Sequence, residues 1–546
     1  MKASHSAGVF ARCRADEVKV VLSTNMAETS VTVPDIGVVI DTGKQREQRH
    51  DPATDSAMLV ECFGSLANAK QRQGRAGRVS AGVCFRLFTS ALEKRLSAQP
   101  VPEIRRVSLT HLSLQLRAML DANKETRSLT VKQVLTQLIE PPNLEAQDAA
   151  LQTLVAVDAI RIDKKEELTP LGQHMAQLPV HNIRLAKLLL LGATLSCVSP
   201  TVSLCALLSS DLSILLSPPD KRDEARTIQR RTFGISSQGI QGEDSYLDSD
   251  HLLALNAFLA FRRCWKNEGA GRARRFCEQH FLRFSALRQV ELLRQRFLQA
   301  LKSRSFVPRS FVLNDDFVVS GRAVDTFKNA GPKHVDAWSS DARVLLCCLA
   351  GALFPRVCVV RRPQDKYVVV SGGAVRQEGA HESWDFKFFP LAQGRFPDRV
   401  KENQTVQLSR LRPSDVYDSR VFAHPSSALR DHYRFEHSYV VYFRRMQTSK
   451  PFLFDASVVS PWSLLFFGGA LQLHDMSEQE TLLQVGDRLL LRAPRQLARL
   501  LRALRRQLAA LLQQKLVTPS MDMTRTNTLH AIVQLLHMHG TARRCA

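Results

Sequence analysis

Residues 18–22 form a β-branched run, and a second apolar run follows at residues 38–40. Apolar strands separated by loops are what a parallel α/β sheet presents. Residues 45–61 begin polar and charged, then alternate toward Met58, Leu59 and Val60, which predicts a projecting hairpin. After Phe88 the periodicity turns helical, punctuated at Pro100 and Pro102 and again at Pro141-Pro142, with apolar positions at helical spacing over residues 146–157. Residues 170–305 read as a helical array in which Ile183, Leu185, Leu188, Leu189 and Ala193 repeat at three and four. Turn-rich interruptions fall at residues 211–219 and 236–248. From about residue 340 short β-branched and aromatic runs return at 356–362, 366–370, 439–443 and 452–459, the pattern of an all-β barrel. Residues 373–401 read as an insertion. Near the end, Leu497, Leu500, Leu501, Leu504, Leu508, Leu511 and Leu512 form one helical stripe, with Arg495, Arg499, Arg502, Arg505 and Arg506 over the remainder. A basic amphipathic helix of this kind fits a lipid surface, a partner, or docking onto its own chain.

At 546 residues the chain exceeds one ordinary core and implies three or four domains. No apolar run approaches the roughly twenty residues needed to span a bilayer, and no charged-then-apolar leader opens the sequence. The longest apolar stretch, residues 185–195, is interrupted by Lys187 and predicts a buried helix. The 11 cysteines are scattered without a CxxC pair, which argues against a zinc site or a disulfide framework and for a reducing compartment. A formal net charge of +23 changes the picture most, because a surplus this large fits a polyanionic partner captured with strong salt dependence.

Two strings carry candidate chemistry. One is Gln71-Arg72-Gln73-Gly74-Arg75-Ala76-Gly77-Arg78, and the other is Ser23-Thr24-Asn25-Met26-Ala27-Glu28-Thr29-Ser30 upstream of it. The spacing predicts Gln71, Arg75 and Arg78 on one side of a helix. Two forked, permanently charged guanidiniums converging with an amide suit a triphosphate. Gly74 and Gly77 let the backbone lie close to a partner surface. Farther along, Arg262, Arg263, Lys266, Arg272, Arg274 and Arg275 cluster around Gly269-Ala270-Gly271, which predicts a basic loop between helices able to meet phosphates. In the β region, Tyr439, Tyr442, Phe443, Arg444, Arg445 and Lys450 are candidates for a nucleic-acid groove, though alternation assigns most of those aromatics to the core.

The two strings resemble motifs V and VI of superfamily 2 helicases of the DEAH/RHA type. The resemblance continues in family order through Val38-Val39-Ile40-Asp41-Thr42-Gly43, Gly82-Val83-Cys84-Phe85-Arg86-Leu87-Phe88, Leu168-Thr169-Pro170-Leu171-Gly172 and Ser249-Asp250-His251-Leu252. It ends with His424-Pro425-Ser426-Ser427, Thr448-Ser449-Lys450 and Leu465-Phe466-Phe467-Gly468-Gly469. It implies a multi-domain α/β plus α plus β architecture. Its parts would be a partial second RecA-like lobe at 1–100, a winged helix at 101–168, a helical ratchet bundle at 169–305, an OB-fold barrel with an insertion at 306–480, and a C-terminal helical extension at 481–546. The family's terminal leucine-rich helix docks on the core, which favours docking for the helix here.

Function follows from the resemblance as an expectation: the C-terminal part of an ATP-dependent RNA helicase, a nucleoside-triphosphatase that couples hydrolysis to RNA remodelling. Gln71, Arg75 and Arg78 would act on the γ-phosphate, with Thr32 and Asp35 also near the nucleotide. Thr24, Asn25, Thr29, Arg272, Arg274 and Lys450 would hold RNA, and Ser30 would couple the two jobs. Neither a GxxxxGK[ST] loop nor an acidic DEAH box occurs in the sequence, so ATP with Mg2+ would need a first lobe to hold the metal, and this chain alone is expected to be inactive. Expected partners are single-stranded segments of structured RNA and ribosomal or ribonucleoprotein assemblies, with no membrane, in the cytoplasm or nucleus. The alternative is a non-catalytic RNA-binding adaptor derived from such a helicase.

Overall fold

The computed structural model describes residues 9–10, 17–29, 33, 35–52, 55–78, 81–163, 165–210, 212–235, 248–319, 334–361, 367–370, 374–377, 386–391, 420–431, 435–447, 450–486 and 489–537. The chain divides into two compact units. One comprises residues 1–108 and 135–146, the other residues 109–134 and 147–546.

In the first unit, β1 (Val38–Asp41) pairs in parallel with β4 (Val83–Arg86), Val39 opposite Cys84. The expected hairpin is present: β2 (Lys44–Asp51) and β3 (Ser56–Phe63) run antiparallel from Lys44 opposite Phe63 to Asp51 opposite Ser56. Helix α1 (Leu66–Gln73) starts at a capping box in which Ser65 and Asn68 satisfy each other's backbone N–H groups. The expected strand at residues 18–22 does not form. Val18, Val20 and Leu22 are 90%, 78% and 86% exposed, because β propensity alone cannot hold a strand that lacks a paired neighbour.

The second unit opens with α2 (Thr110–Ala122), α3 (Leu144–Ala156) and a short hairpin of β5 (Ile160–Ile162) and β6 (Glu166–Leu168). The helical array follows as α4 (Pro170–Gln177), α5 (Ile183–Thr194), α6 (Val198–Ser209), α7 (Arg222–Phe233), α8 (Asp250–Gln279) and α9 (Phe284–Ser303). All twelve residues of α5 are buried, as its unbroken apolar run predicts. Burial pushes the Lys187 ammonium down to about 8, against the pull of Asp158. Gly192 lets α6 approach α5, since a Cβ there would lie 1.9 Å from Thr201 Oγ1. The glycines at 269–271 are not a loop: α8 runs through them with a single break at Gly269 (φ +79°), a left-handed conformation glycine tolerates.

Helix α10 (Ala342–Leu353) leads into the β region of β7 (Val357–Arg361), β8 (Tyr367–Val370), β9 (Ala374–Gln377), β10 (Lys387–Pro390), β11 (Phe422–Ala423), β12 (Tyr439–Gln447) and β13 (Pro451–Val459). Their order β10-β7-β12-β13-β11 is an open path among the described residues, not a closed barrel. Strand β10 lies inside the expected insertion, yet pairs with β7 and buries Phe388 in the sheet's core, because local alternation places its aromatic inward. After α11 (Pro461–Phe467), strands β14 (Leu471–Asp475), β15 (Glu480–Val485) and β16 (Leu489–Pro494) form an antiparallel sheet. The terminal segment therefore begins as strand before α12 (Arg495–Val517) and α13 (Asn527–His537). Helix α12 docks through Ala498, Leu501 and Leu508. Leu497 and Leu500 of the predicted stripe remain 40% and 67% exposed.

Candidate nucleotide and nucleic-acid interfaces

In the first unit the two motifs meet through a buried charge network. Asn68 and Arg72, four apart on α1, both reach Glu28, which is 6% exposed. Asn68 Nδ2 donates to Glu28 Oε1 at 2.6 Å and Arg72 Nε to Oε2 at 2.9 Å. Arg72 Nη1 also donates to Asp41 Oδ1 at 2.8 Å, at the end of β1. Burial alone would lower the Arg72 pKa, but the Asp41 and Glu28 carboxylates outweigh it and raise the value. Arg72, Glu28 and Asp41 were not among the expected site residues. For Glu28 and Arg72 the signal was available: an acid inside the first string and a third arginine inside the other.

The spacing argument misplaced the arginines. Helix α1 ends at Gln73, and Arg75 and Arg78 stand in the turn beyond Gly74, where Arg75 N bonds to Arg72 O and Ala76 N to Gln73 O. Gly74 itself stays right-handed (φ −64°, ψ −7°), but beyond it the backbone bonds tighten to i→i−3, so the spacing of a regular α-helix stops applying. Gln71 remains exposed on the last helical turn and Arg78 is exposed beyond it. Arg75 is different: its Nε and Nη1 are buried without a hydrogen-bond partner among the described residues. Eight other arginines leave one such nitrogen each, and Arg75 stands apart among the described residues in leaving two, room for a forked contact with an anion.

Thr24 and Asn25 are exposed and open a one-turn helix (Met26–Thr29), with Ala27 N on Thr24 O and Glu28 N on Asn25 O; Thr29 is exposed at its end. Asp35 is in an ion pair with Lys19 at 2.7 Å. Ser30 and Thr32 lie outside the described residues.

In the second unit the structure assembles a strip of rings and cations along β11 and β13. The His424 ring stacks on Phe454 with centroids 4.2 Å apart and meets Phe452 edge-on at 5.7 Å. Phe422, registered opposite Phe452, carries Arg420 at 4.6 Å and Lys450 at 4.9 Å over its ring. Arg444 lies 5.8 Å from the Phe454 centroid. Burial, together with nearby Arg222 and Arg430, holds the His424 pKa below its ordinary value against the opposing pull of Asp455. Tyr442 and Phe443 are core, each 4% exposed. Alternation along β13, with Leu453 inward between Phe452 and Phe454, was the signal for these half-buried rings. Thr448 and Ser449 lie outside the described residues. On α8, Arg272 pairs with Glu268 at 3.0 Å, while Arg274 lies 5.0 Å over Phe284, whose ring stacks on Trp265.

Family models match in the same order as these elements. They are a helicase conserved C-terminal domain over residues 1–80, a winged-helix helicase-associated domain (HA2) over 150–180, an oligonucleotide/oligosaccharide-binding (OB)-fold over 345–471, and a C-terminal domain in RNA helicases over 481–538. The resemblance to the C-terminal part of DEAH/RHA-type helicases thus holds along the chain. Similar proteins include a putative DEAH-box ATP-dependent helicase of Mycosarcoma maydis, 34% identical over 87% of this chain and 27% of that protein. The putative ATP-dependent RNA helicase DHX57 of Homo sapiens is 32% identical over 94% of this chain and 34% of its own length. The ATP-dependent DNA/RNA helicase DHX36 of Bos taurus is 29% identical over 94% and 42%. The chain therefore spans well under half the length of these relatives.

Proposed function

We propose that this chain is the C-terminal portion of an ATP-dependent RNA helicase, coupling nucleotide hydrolysis to RNA remodelling. The observation that carries the reading is the Arg75 guanidinium, held with two buried donors unsatisfied beside a charge network that fixes the two motifs together. In phosphoryl transfer the protein mainly positions phosphates and neutralises their charge, which is the work of Arg75, Arg78 and Gln71 in this reading. Thr24, Asn25 and Thr29 offer short donors to RNA phosphates from an exposed turn, and Ser30 stands between both roles. Asp35 and Thr32 complete the nucleotide side. ATP would come with Mg2+ held by a first, P-loop-bearing lobe.

The β11–β13 strip with Lys450, and Arg272 and Arg274 on α8, would take single-stranded RNA by stacking and cation contacts. The layout would be a partial RecA-like lobe, winged helix, ratchet, OB-fold region and C-terminal extension. The partners would be structured RNA and ribonucleoprotein assemblies in the cytoplasm or nucleus; no helix among the described residues is long and apolar enough to cross a membrane. The strip also supports a second reading, a non-catalytic RNA-binding adaptor, since it needs no nucleotide. The deciding experiment measures RNA-stimulated ATP hydrolysis in a protein that joins this chain to a P-loop lobe. Stimulation that Arg75→Ala abolishes supports the helicase, whereas RNA binding without any such turnover leaves the adaptor.

A further inference from the structure

Helix α12 carries five arginines and one lysine and no acid. One arginine is turned inward. Arg505 donates to the carbonyls of Leu465, Gly468 and Gly469, closing the C-terminal end of α11. Arg499, Arg502 and Arg506 are exposed, and a hydrogen bond from Thr481, with Arg495 and Arg499 nearby, holds the Asp475 carboxyl below its ordinary value. Arg495, at the start of the same row, pairs with Asp475 at 2.9 Å. Positions 495, 499, 502 and 506 recur at four, three and four, so they share one face and span about 16 Å along the axis at roughly 1.5 Å per residue.

This ridge opposes the helix that bears it. Like charges four apart destabilise a helix, and cations near the N-terminus meet the positive end of its dipole. The first turn has no acid to offset this. Solubility needs charge of either sign, not four arginines in one row. The face contains no aromatic ring to serve as a platform for bases.

We propose that Arg499, Arg502 and Arg506, with Arg495 at their end, bind the sugar–phosphate backbone of RNA without reading its sequence, as a contact separate from the β11–β13 strip. The proposal rests on the RNA-binding reading above. A duplex strand carries about one phosphate per 3.4 Å of axis, so the ridge faces on the order of five phosphates. At about 100° per residue, exposed Leu500 lies roughly 130° and Leu497 roughly 190° round the helix from the row; a lipid surface that used them would face away from the arginines.

The test is anisotropy of labelled tailed-duplex RNA on the full chain across a salt series. The combined variant Arg499→Ala, Arg502→Ala, Arg506→Ala should lower the log–log salt slope by about 2–3, at roughly 0.7–0.9 per lost phosphate contact. Removing the same charge from scattered exposed sites (Arg127→Ala, Arg296→Ala, Arg525→Ala) should leave the slope near wild type, as should Leu500→Ser. An unchanged slope in the ridge variant overturns the proposal while leaving RNA binding elsewhere intact. Loss of binding to phosphatidylserine vesicles in both the ridge variant and Leu500→Ser, with RNA unaffected, also overturns it in favour of a lipid surface. No RNA binding by the wild-type chain would instead reject the reading on which the proposal rests.

Discussion

Arg72 donates through Nε to Glu28 Oε2 across 2.9 Å, joining two sequence motifs that lie 44 residues apart. The same guanidinium reaches Asp41 on β1, so one side chain sets the height of α1 over the sheet and the position of the turn that carries Arg75. The turn that carries Arg75 thus leaves a helix anchored by Arg72, whose carbonyl accepts from Arg75 N.

Arg72→Ala should cost about 3–5 kcal/mol locally, because Glu28 and Asp41 would stay buried and unpaired. Arg72→Lys should recover little, since one ammonium cannot fork to two carboxylates. Hydrogen exchange at the β1 and β4 amides is the readout. Protection equal to wild type would show that the network does not hold this unit together.

Asp250 and His251 give an opposed pH pair. Burial raises the Asp250 carboxyl to about 6 despite hydrogen bonds from Ala456 N, Ser427 Oγ and Ala428 N, and burial pushes His251 down to about 4. A raised acid stabilises the fold when protonated, and that term is lost as pH rises through about 4 to 6. A lowered histidine stabilises when neutral, and that term is lost as pH falls from about 6.5 to 4. Wild-type stability should therefore be nearly flat from this pair between pH 4 and 6. His251→Asn should unmask a fall with rising pH, and Asp250→Asn a rise, each on the order of 3 kcal/mol. Urea midpoints at several pH values give the slopes; two variants with the same sign would contradict the assignment.

What the sequence disclosed and what it hid differ by the range of the interaction. The hairpin of β2 and β3, the buried run of α5 and the strand at β1 follow from local patterns that adjacent residues enforce. The turn beyond Gly74 differs: the chain keeps a right-handed conformation there while its bonds tighten to i→i−3, a change that residue spacing does not report. The Asn68–Glu28–Arg72–Asp41 network and the His424–Phe454 stack join positions 30 or more residues apart. No periodicity reports a partner at that distance: alternation along β13 turns Phe454 away from the core but does not place His424 on it.

Arg75 should show the trade of stability for function. Its unsatisfied Nε and Nη1 cost about 1–3 kcal/mol in a buried setting. Arg75→Met, of similar length and without donors, should raise the unfolding midpoint of the chain. Joined to a P-loop lobe, the same change should lower hydrolysis by about 10³-fold or more, the scale of an arginine finger. Arg78→Ala should leave stability and RNA binding near wild type and still depress turnover. A destabilised Arg75→Met with normal turnover would make Arg75 a structural residue.

The ring strip predicts a stacking contribution distinct from charge. Phe454→Ala should weaken single-stranded RNA by about 1–3 kcal/mol, the range for one stacked base, with little change in salt slope. His424→Ala should weaken it too, and the double variant should lose less than the sum, because the two rings lie 4.2 Å apart and present one platform. The His424 pKa is held low, so the ring stays neutral through pH 7 to 8 and affinity there should not change with pH. Tyr442→Phe, within the core of the same sheet, is the comparison and should leave RNA affinity unchanged. Equal losses at Phe454 and Tyr442 would mean that sheet stability, and not stacking, sets RNA affinity.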